Sequence, residues 1–431
     1  MTVSARGPAA APPSARPRAQ RPAYFGGNAI QVLRGGDALF PAMRIAIDAA
    51  RTEIWLATYI FHDDPAALAL ADALVDAARR GVRVHVVIDG FGSKASLPVV
   101  RPRLEAAGVE VAVFRPMDTW WRWLQPGQLR RLHQKLCVVD GEVAFVGGIN
   151  LLDDRLDLNH GAIEAPRLDF AVLVRGPLVE PVAQTSRAVW NRARLGHAWR
   201  EELSAVARDS QPMQRVQGIV RGLRRAHGPA VVDDDVELPP LRAALAVRDN
   251  LRQRRTIERS YIEAIAGARS RAWIVSPYFY PGRAFRRSLR NAAARGVDVR
   301  LLMQGRWDYR TAAVAARALY AELLGRGIRI YEYTPAFLHA KVAVIDDTWA
   351  TVGSSNIDPL SLLLNLEANV IVRDAGFAAE LSSQFDEAVA ASRSIDARQA
   401  LGGGLLGAAR RALVAWCAYV YLRLAGVTGR Y

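Results

Sequence analysis

HQKLCVVDGEVAFVGGIN, residues 133–150, sets His133 and Lys135 two apart, then Asp140, Gly147-Gly148 and Asn150. The same spacing returns in HAKVAVIDDTWATVGSSN, residues 339–356, with His339, Lys341, Asp346, Gly353-Ser354 and Asn356. One H-x-K-x4-D-x6-G-[GS]-x-N pattern is weak evidence; two at matching places are strong. Leu136 to Val139 and Val342 to Ile345 read as short strands rich in β-branched residues. Asp140-Gly141 reads as a hairpin turn leading to a second strand, Val143 to Val146. Strand residues two apart share a face, so each His is expected to project with its Lys. Each Asp falls at the strand's far end, where it positions the turn.

Lysine usage singles out the same positions. Lys plus Arg number 57, yet only Lys94, Lys135 and Lys341 are lysines. An ammonium is a compact charge with three donors, suited to one crowded phosphate oxygen, whereas guanidinium is a planar fork. Two His/Lys/Asn sets meeting in one pocket form a phosphate site. Lys135, Lys341, Asn150 and Asn356 would donate to the non-bridging oxygens. In such a site one histidine can attack phosphorus while the other protonates the leaving alcohol and then deprotonates the incoming one. The two ammoniums supply the positive charge, so no metal or other cofactor is expected, and no H-E-x-x-H or Cys/His cluster is present.

The duplication extends well beyond the motifs. ARTEIWLATYIF (50–61) matches ARSRAWIVSPYF (268–279), and AARRGVRVHVVIDG (77–90) matches AAARGVDVRLLMQG (292–305). AGVEVAVFRP (107–116) matches RGIRIYEYTP (326–335). After the motifs, Asp169 and Glu367 open matching apolar strands and are candidates to orient the two histidines. Helical periodicity at 38–50 and 66–80, with strands at Glu53 to Phe61, Val82 to Ile88 and Val109 to Phe114, gives a β-α-β pattern. The expectation is two similar α/β domains, each a mixed sheet flanked by helices. Their expected ranges are 25–200 and 246–398, with a change-over at 201–245. A disordered basic arm is expected at 1–24, with no apolar signal-peptide core, and an apolar tail at 399–431.

Net charge is +15 with a pI near 10.4, which suits anionic partners or reflects an Arg-rich composition. Hydrophobic residues are 51%, enough for a substantial core. Cys137 and Cys417 cannot make a disulfide framework. Pro116 stands 17 residues before His133, but Pro335 only four before His339. The extra residues carry Trp120, Trp121 and Trp123 among arginines, either an interfacial patch or a packed lid. In the tail, the uncharged run Ala412 to Leu422 is 11 residues, against the ~20 that span a bilayer. It therefore lies in the interface or docks on the protein. His62, His85, His160, His197 and His227 have no repeated counterpart and receive no role.

The duplicated motif resembles that of the phospholipase D superfamily, over about residues 26–395. GGN (26–28), VVIDGFGS (86–93), VAFVGGIN (143–150) and RDNLRQRRTIERSY (248–261) resemble its bacterial cardiolipin synthases, the B type especially. The resemblance implies a pseudo-twofold with the active site between the halves. It implies transfer of a phosphatidyl group from one phosphatidylglycerol to another, with release of glycerol. It implies a catalytic set of His133, Lys135, Asp140, His339, Lys341 and Asp346, with Asn150, Ser354 and Asn356 on the substrate. Gly148 stands where the superfamily often has Ser. The expected partners are phosphatidylglycerol and a membrane surface, peripherally on the cytoplasmic side of a bacterial cell membrane, and no nucleic acid. A hydrolase or transphosphatidylase of other phospholipids, and a nuclease of the same chemistry, remain the alternatives. A lipid-binding scaffold without catalysis is disfavoured by two intact motifs.

Overall fold

The computed structural model describes residues 21–117, 130–206, 241–249, 253–306, 316–358, 361–362 and 365–396, with side chains described outside 195–206. The tryptophan-bearing segment, the C-terminal tail and the arm as far as residue 20 lie outside the described residues.

The first half runs β1 (Tyr24–Phe25), β2 (Ala29–Arg34), α1 (Gly35–Asp48), β3 (Glu53–Thr58), α2 (Pro65–Arg79), β4 (Arg83–Asp89), α3 (Leu97–Glu105) and β5 (Glu110–Phe114). It continues with β6 (Lys135–Val139), β7 (Val143–Gly147), the small hairpin β8 (Leu156–Asp157) and β9 (Gly161–Ala162), β10 (Phe170–Arg175) and α4 (Val179–Val206). The second half runs β11 (Arg242–Arg248), α5 (Thr256–Gly267), β12 (Arg271–Val275), α6 (Arg283–Ala294), β13 (Asp298–Gln304), α7 (Tyr320–Leu324) and β14 (Arg329–Tyr333). It ends with β15 (Val342–Ile345), β16 (Trp349–Gly353), β17 (Glu367–Arg373), α8 (Ala375–Ala390) and β18 (Ser392–Ser394).

The two large sheets carry one plan. The first is ordered β2-β10-β7-β6-β3-β4-β5 and the second β1-β11-β17-β16-β15-β12-β13-β14-β18. Without edge strands β1 and β18, the orders match strand for strand. In each, three parallel strands joined through helices meet an antiparallel set. These are the mixed sheets flanked by helices that the repeat implied.

Local chemistry explains the helix starts. Pro65 needs no amide partner at the first turn of α2, and the Asp64 carboxylate accepts from the amides of Ala66 and Ala67. Leu70, Leu74 and Ala77 then bury one face. The strands are apolar on both faces, as sheets covered on both sides require. Leu136 and Val138 join a core shared with Val342 and Val344, while Cys137 and Val139 face the first half's own helices. A third core lies under α5 and α6. The shared core is what holds the two motifs against each other.

The expected bounds of the arm (1–24) and change-over (201–245) shift, because β1 at Tyr24–Phe25 pairs with β11, which begins at Arg242. An expectation about the motifs changes too. The motif strands begin at Lys135 and Val342, so His133 and His339 stand before the strands and alternation does not set their direction. Their chain has left its own sheet to pair with the other half. The His133 amide donates to Leu366 O at 3.0 Å and the Leu366 amide to Arg131 O at 2.8 Å. At the equivalent place the His339 amide donates to Leu168 O and the Leu168 amide to Phe337 O, both at 2.9 Å.

Candidate active site

These crossed backbone pairs decide which carboxylate each histidine meets. Leu366 precedes Glu367 and Leu168 precedes Asp169. His133 Nδ1 therefore lies 3.0 Å from Glu367 Oε2, and His339 Nδ1 lies 2.6 Å from Asp169 Oδ2. Each histidine is oriented by the opposite half. A carboxylate on Nδ1 fixes the tautomer and leaves Nε2 for chemistry.

The lysines complete the constellation. Lys135 Nζ donates to His133 O at 2.7 Å, and Lys341 Nζ donates to His339 O. An ammonium has three donors, so each keeps others for a ligand. Asn150 and Asn356 are buried, and the side-chain oxygen of each lacks a hydrogen-bond partner among the described residues. Such groups are costly unless something polar arrives. The two histidines and two lysines are thus gathered at the seam, whereas Ser354 departs from the substrate contact expected of it. Ser354 is fully buried, and its hydroxyl donates to Glu367 Oε2 at 2.5 Å while accepting from the Ala368 amide at 3.0 Å. That hydroxyl is spent on the carboxylate. In the other half, a Cβ on Gly148 would stand 2.5 Å from Asp169 Oδ1, so Asp169 fills the place a serine would take.

Burial and mutual charge set the protonation. Burial pushes Lys135 down to about 7, with Lys341 adding to the push while Glu367 and Asp169 resist. Burial likewise lowers Lys341 to about 8. Burial raises Asp169 to about 6, although Lys341 and Lys135 pull it back. Burial pushes Glu367 upward too, but His133, Lys135 and the Ser354 hydroxyl outweigh it, so Glu367 sits below its ordinary value. Burial lowers His133, and burial with the two lysines and Arg167 holds His339 well below the ordinary imidazole value. Near neutrality both imidazoles are thus pushed toward the neutral form, and the lysines stand near the point where ammonium gives way to amine. A phosphodiester anion would favour the protonated lysines.

Asp140 and Asp346 lie away from this centre. Each has left-handed backbone, with φ of 53° and 50°. Asp140 accepts from the amides of Arg51, Thr52 and Glu53 and from the Thr52 hydroxyl. Asp346 does the same for Arg269, Ser270 and Arg271 and the Ser270 hydroxyl. They tie the turn to the start of the neighbouring strand.

Other residues at the site went unread. Asp89 is fully buried and accepts from the Leu132 amide at 2.9 Å; Gln304 accepts from the Leu338 amide at 3.0 Å. They hold the residue before each histidine from equivalent strand ends. A polar residue closing both apolar runs, VVID and LLMQ, was the available signal. Tyr59 packs its ring edge-on to His133 at 5.0 Å and lies 5.4 Å from Lys135 Nζ. Its counterpart in the repeat is Pro277, so no duplication marked it. Arg248 is buried opposite Glu367 in the β11–β17 register and bonds Asn365 O.

A family model described as "Cardiolipin synthase, PLD-like domain" matches residues 43–163 and 261–389. Cardiolipin synthase B of Escherichia coli K12 is 36% identical over 365 residues, 85% of this chain and 81% of that protein. Cardiolipin synthase B of Salmonella typhimurium is 37% identical over 363 residues, 81% of this chain and 78% of that one. Cardiolipin synthase A of Pseudomonas fluorescens is 35% identical, over 85% of this chain and 70% of its own. The chain belongs to the cardiolipin synthase family of phospholipase D-like enzymes. Among solved structures, phosphatidylserine synthase of Haemophilus influenzae aligns with TM-score 0.65 at 12% identity, over 94% of this chain and 96% of that one, a likeness of fold. As a phospholipase D-like cardiolipin synthase, the protein is a phosphatidyltransferase whose substrates are phospholipids. No helix among the described residues is long and apolar enough to cross a membrane.

Proposed function

We propose that the enzyme makes cardiolipin from two phosphatidylglycerol molecules through a phosphatidyl-histidine on His133. The observation that carries the reading is the pair of crossed His–carboxylate contacts flanking two buried lysines. His133, its Nδ1 proton held by Glu367, attacks phosphorus through Nε2. Lys135, Lys341, Asn150 and Asn356 receive the non-bridging oxygens as charge grows there. The His339–Asp169 pair enters this step holding two protons, and His339 Nε2 gives one to the departing glycerol oxygen as the phosphorus–oxygen bond breaks. In the second step His339 takes the proton from the primary alcohol of a second phosphatidylglycerol. That oxygen bonds phosphorus as the His133–phosphorus bond breaks, restoring the enzyme. Glycerol and cardiolipin are the products.

The roles follow from the asymmetry of the two pairs. Glu367 is held ionised, which suits a nucleophile that gains positive character. Asp169, raised to about 6, shares a short contact with His339, which suits a group that must hold and return a proton. The His339 side chain is 24% exposed and the His133 side chain 11%, so alcohols reach His339 more readily. The enzyme meets its lipid at the cytoplasmic surface of the cell membrane, held peripherally by attraction of its +15 net charge to anionic headgroups.

Product analysis by mass spectrometry after incubation with phosphatidylglycerol vesicles tests the reading. Cardiolipin and glycerol should appear in equal amounts. Phosphatidic acid as the sole product, or cleavage of DNA with no lipid turnover, would overturn it.

A further inference from the structure

The first half carries a short insertion that lies against the second half's histidine approach. Between Asn150 and Asp169 the chain forms the β8–β9 hairpin, whereas Asn356 reaches Glu367 in far fewer residues. At its tip His160 packs on the Phe337 ring, centroids 5.3 Å apart. Phe337 stands two residues before His339, and its backbone oxygen receives the Leu168 amide in the crossed pair beside the site.

The hairpin is built around one buried carboxylate, Asp157. Asp157 accepts from the amides of Asn159 and His160, from His160 Nδ1 at 2.8 Å, and from Arg167 Nη2 at 3.2 Å. His160 is thus fixed through Nδ1, and its other ring nitrogen has no hydrogen-bond partner among the described residues, on a side chain 44% exposed. Arg167 is fixed through one nitrogen, on the same strand approach as Asp169 and two residues from it. It is close enough to His339 and Lys341 to act on both electrostatically. Arg306, exposed, lies 5.9 Å from the Phe337 ring and bonds Thr334 O and Pro335 O. Donors and positive charge therefore gather on the His339 side, beyond the set that holds the reacting phosphate.

We propose that His160 and Arg167 form a subsite for the second phosphate, the unreacting phosphodiester of the acceptor lipid. The inference rests on the reading that His339 handles the alcohol. An acceptor phosphatidylglycerol carries its own anionic phosphate one glycerol away from the attacking oxygen, and needs donors there that water or a simple alcohol does not. Arg167 and a His160 imidazolium, its Nδ1–H on Asp157 and its Nε2–H on the ligand, match a phosphate oxygen through charge-assisted hydrogen bonds. The subsite thereby favours transfer to phosphatidylglycerol over hydrolysis.

The test lets ethanol compete with phosphatidylglycerol for one phosphatidyl-enzyme. Full-length protein is incubated with phosphatidylglycerol vesicles and ethanol, and cardiolipin and phosphatidylethanol are measured by mass spectrometry. Their ratio reads acceptor choice alone, whatever fraction of the protein is folded. His160→Ala and Arg167→Gln should each lower cardiolipin relative to phosphatidylethanol about tenfold, as loss of a charge-assisted bond predicts. His160→Gln, which keeps a side-chain N–H, should recover part of the ratio. Ratios within twofold of wild type in both variants overturn the subsite. Mapping of the trapped adduct to His339 overturns the reading on which the subsite rests, whereas an adduct on His133 with unchanged ratios overturns the subsite alone.

Discussion

The two halves share one strand order but have divided one chemistry. Around His133, the longer Glu367 reaches the imidazole and Ser354 steadies it with a hydroxyl. Around His339, the shorter Asp169 sits where that serine would be, and Gly148 makes room for it. A methylene gained by the carboxylate in one half is matched by a side chain lost from the neighbouring position in the other. The electrostatic consequence is opposite: Glu367 is held below its ordinary value, whereas Asp169 rises to about 6. Duplication kept the backbone that crosses the halves and left the supporting side chains to specialise.

The sharpest way to break this comparison is to remove each histidine. His133→Ala should abolish both turnover and adduct. His339→Ala should lose about 10²–10⁴-fold with phosphatidylglycerol, the usual worth of general acid–base catalysis. It should still form the adduct from a lipid whose leaving group needs no proton, such as a nitrophenyl ester. Mass spectrometry of the protein after rapid acid-free quench distinguishes the two, and an adduct in His133→Ala would reverse the roles.

Lys135→Arg and Lys341→Arg come next, with about 10²–10³-fold losses expected, the scale seen when one stabilising donor is misplaced. Both ammoniums are buried and tethered to a histidine carbonyl, which leaves no room for a planar fork. Circular dichroism must show folded protein, and wild-type rates in both variants would refute the clamp.

The lysines also fix the direction of the pH response. With Lys135 near 7 and Lys341 near 8, the ammonium is present below those values and is lost as pH rises through them. Free-enzyme kcat/KM should therefore fall on the alkaline side by up to about tenfold per pH unit for each proton lost. The limb in kcat should move to higher pH, because bound phosphate holds the protons on. A kcat/KM profile flat into the alkaline range would mean that the clamp works without its charge.

The same asymmetry shows what the sequence could and could not disclose. Strand patterns, turn dipeptides and the repeated His-x-Lys are local, and they read correctly to within a residue or two in most strands. The histidines' departure from their own sheet is not local. It depends on Leu366 and Leu168, two ordinary leucines whose role exists only when the halves meet. Asp169 and Glu367 were visible because they repeat. Tyr59 was hidden because its counterpart is a proline, and the β8–β9 hairpin because the stretch that forms it has no repeated counterpart in the sequence.

Smaller effects are expected from the residues that tune the carboxylates. Ser354→Ala leaves the buried Glu367 short of a donor, a loss of about 1–3 kcal/mol, or roughly tenfold in rate if it falls on the transition state. Gly148→Ala should act on the other pair, because its Cβ would meet Asp169 Oδ1 at 2.5 Å. The first should slow adduct formation from any lipid, the second only from one whose leaving group needs a proton, which single-turnover kinetics with phosphatidylglycerol and a nitrophenyl ester separates. Equal effects of both variants on both lipids would erase the division of labour.

The smallest effect on activity should come from the motif aspartates, where the halves do not differ. Asp140 and Asp346 each gather three backbone amides and one hydroxyl at a left-handed turn. Burial opposes their charge, but these donors win and hold both carboxyls below their ordinary value. A carboxyl depressed in the folded state contributes stability above its unfolded pKa, about 3.9, and that contribution is lost as pH falls through the folded value. Asparagine keeps one acceptor oxygen and discards the charge, so Asp140→Asn and Asp346→Asn should each cost about 1–2 kcal/mol of stability near neutrality. The deficit relative to wild type should shrink in acid, where the wild-type carboxyls also lose their charge. Activity per folded molecule should stay within twofold, since neither side chain reaches the reacting atoms. Thermal melts across pH, paired with turnover corrected for folded fraction, provide the check. A large fall in turnover at an unchanged melting temperature would place these aspartates in the chemistry and not in the turn.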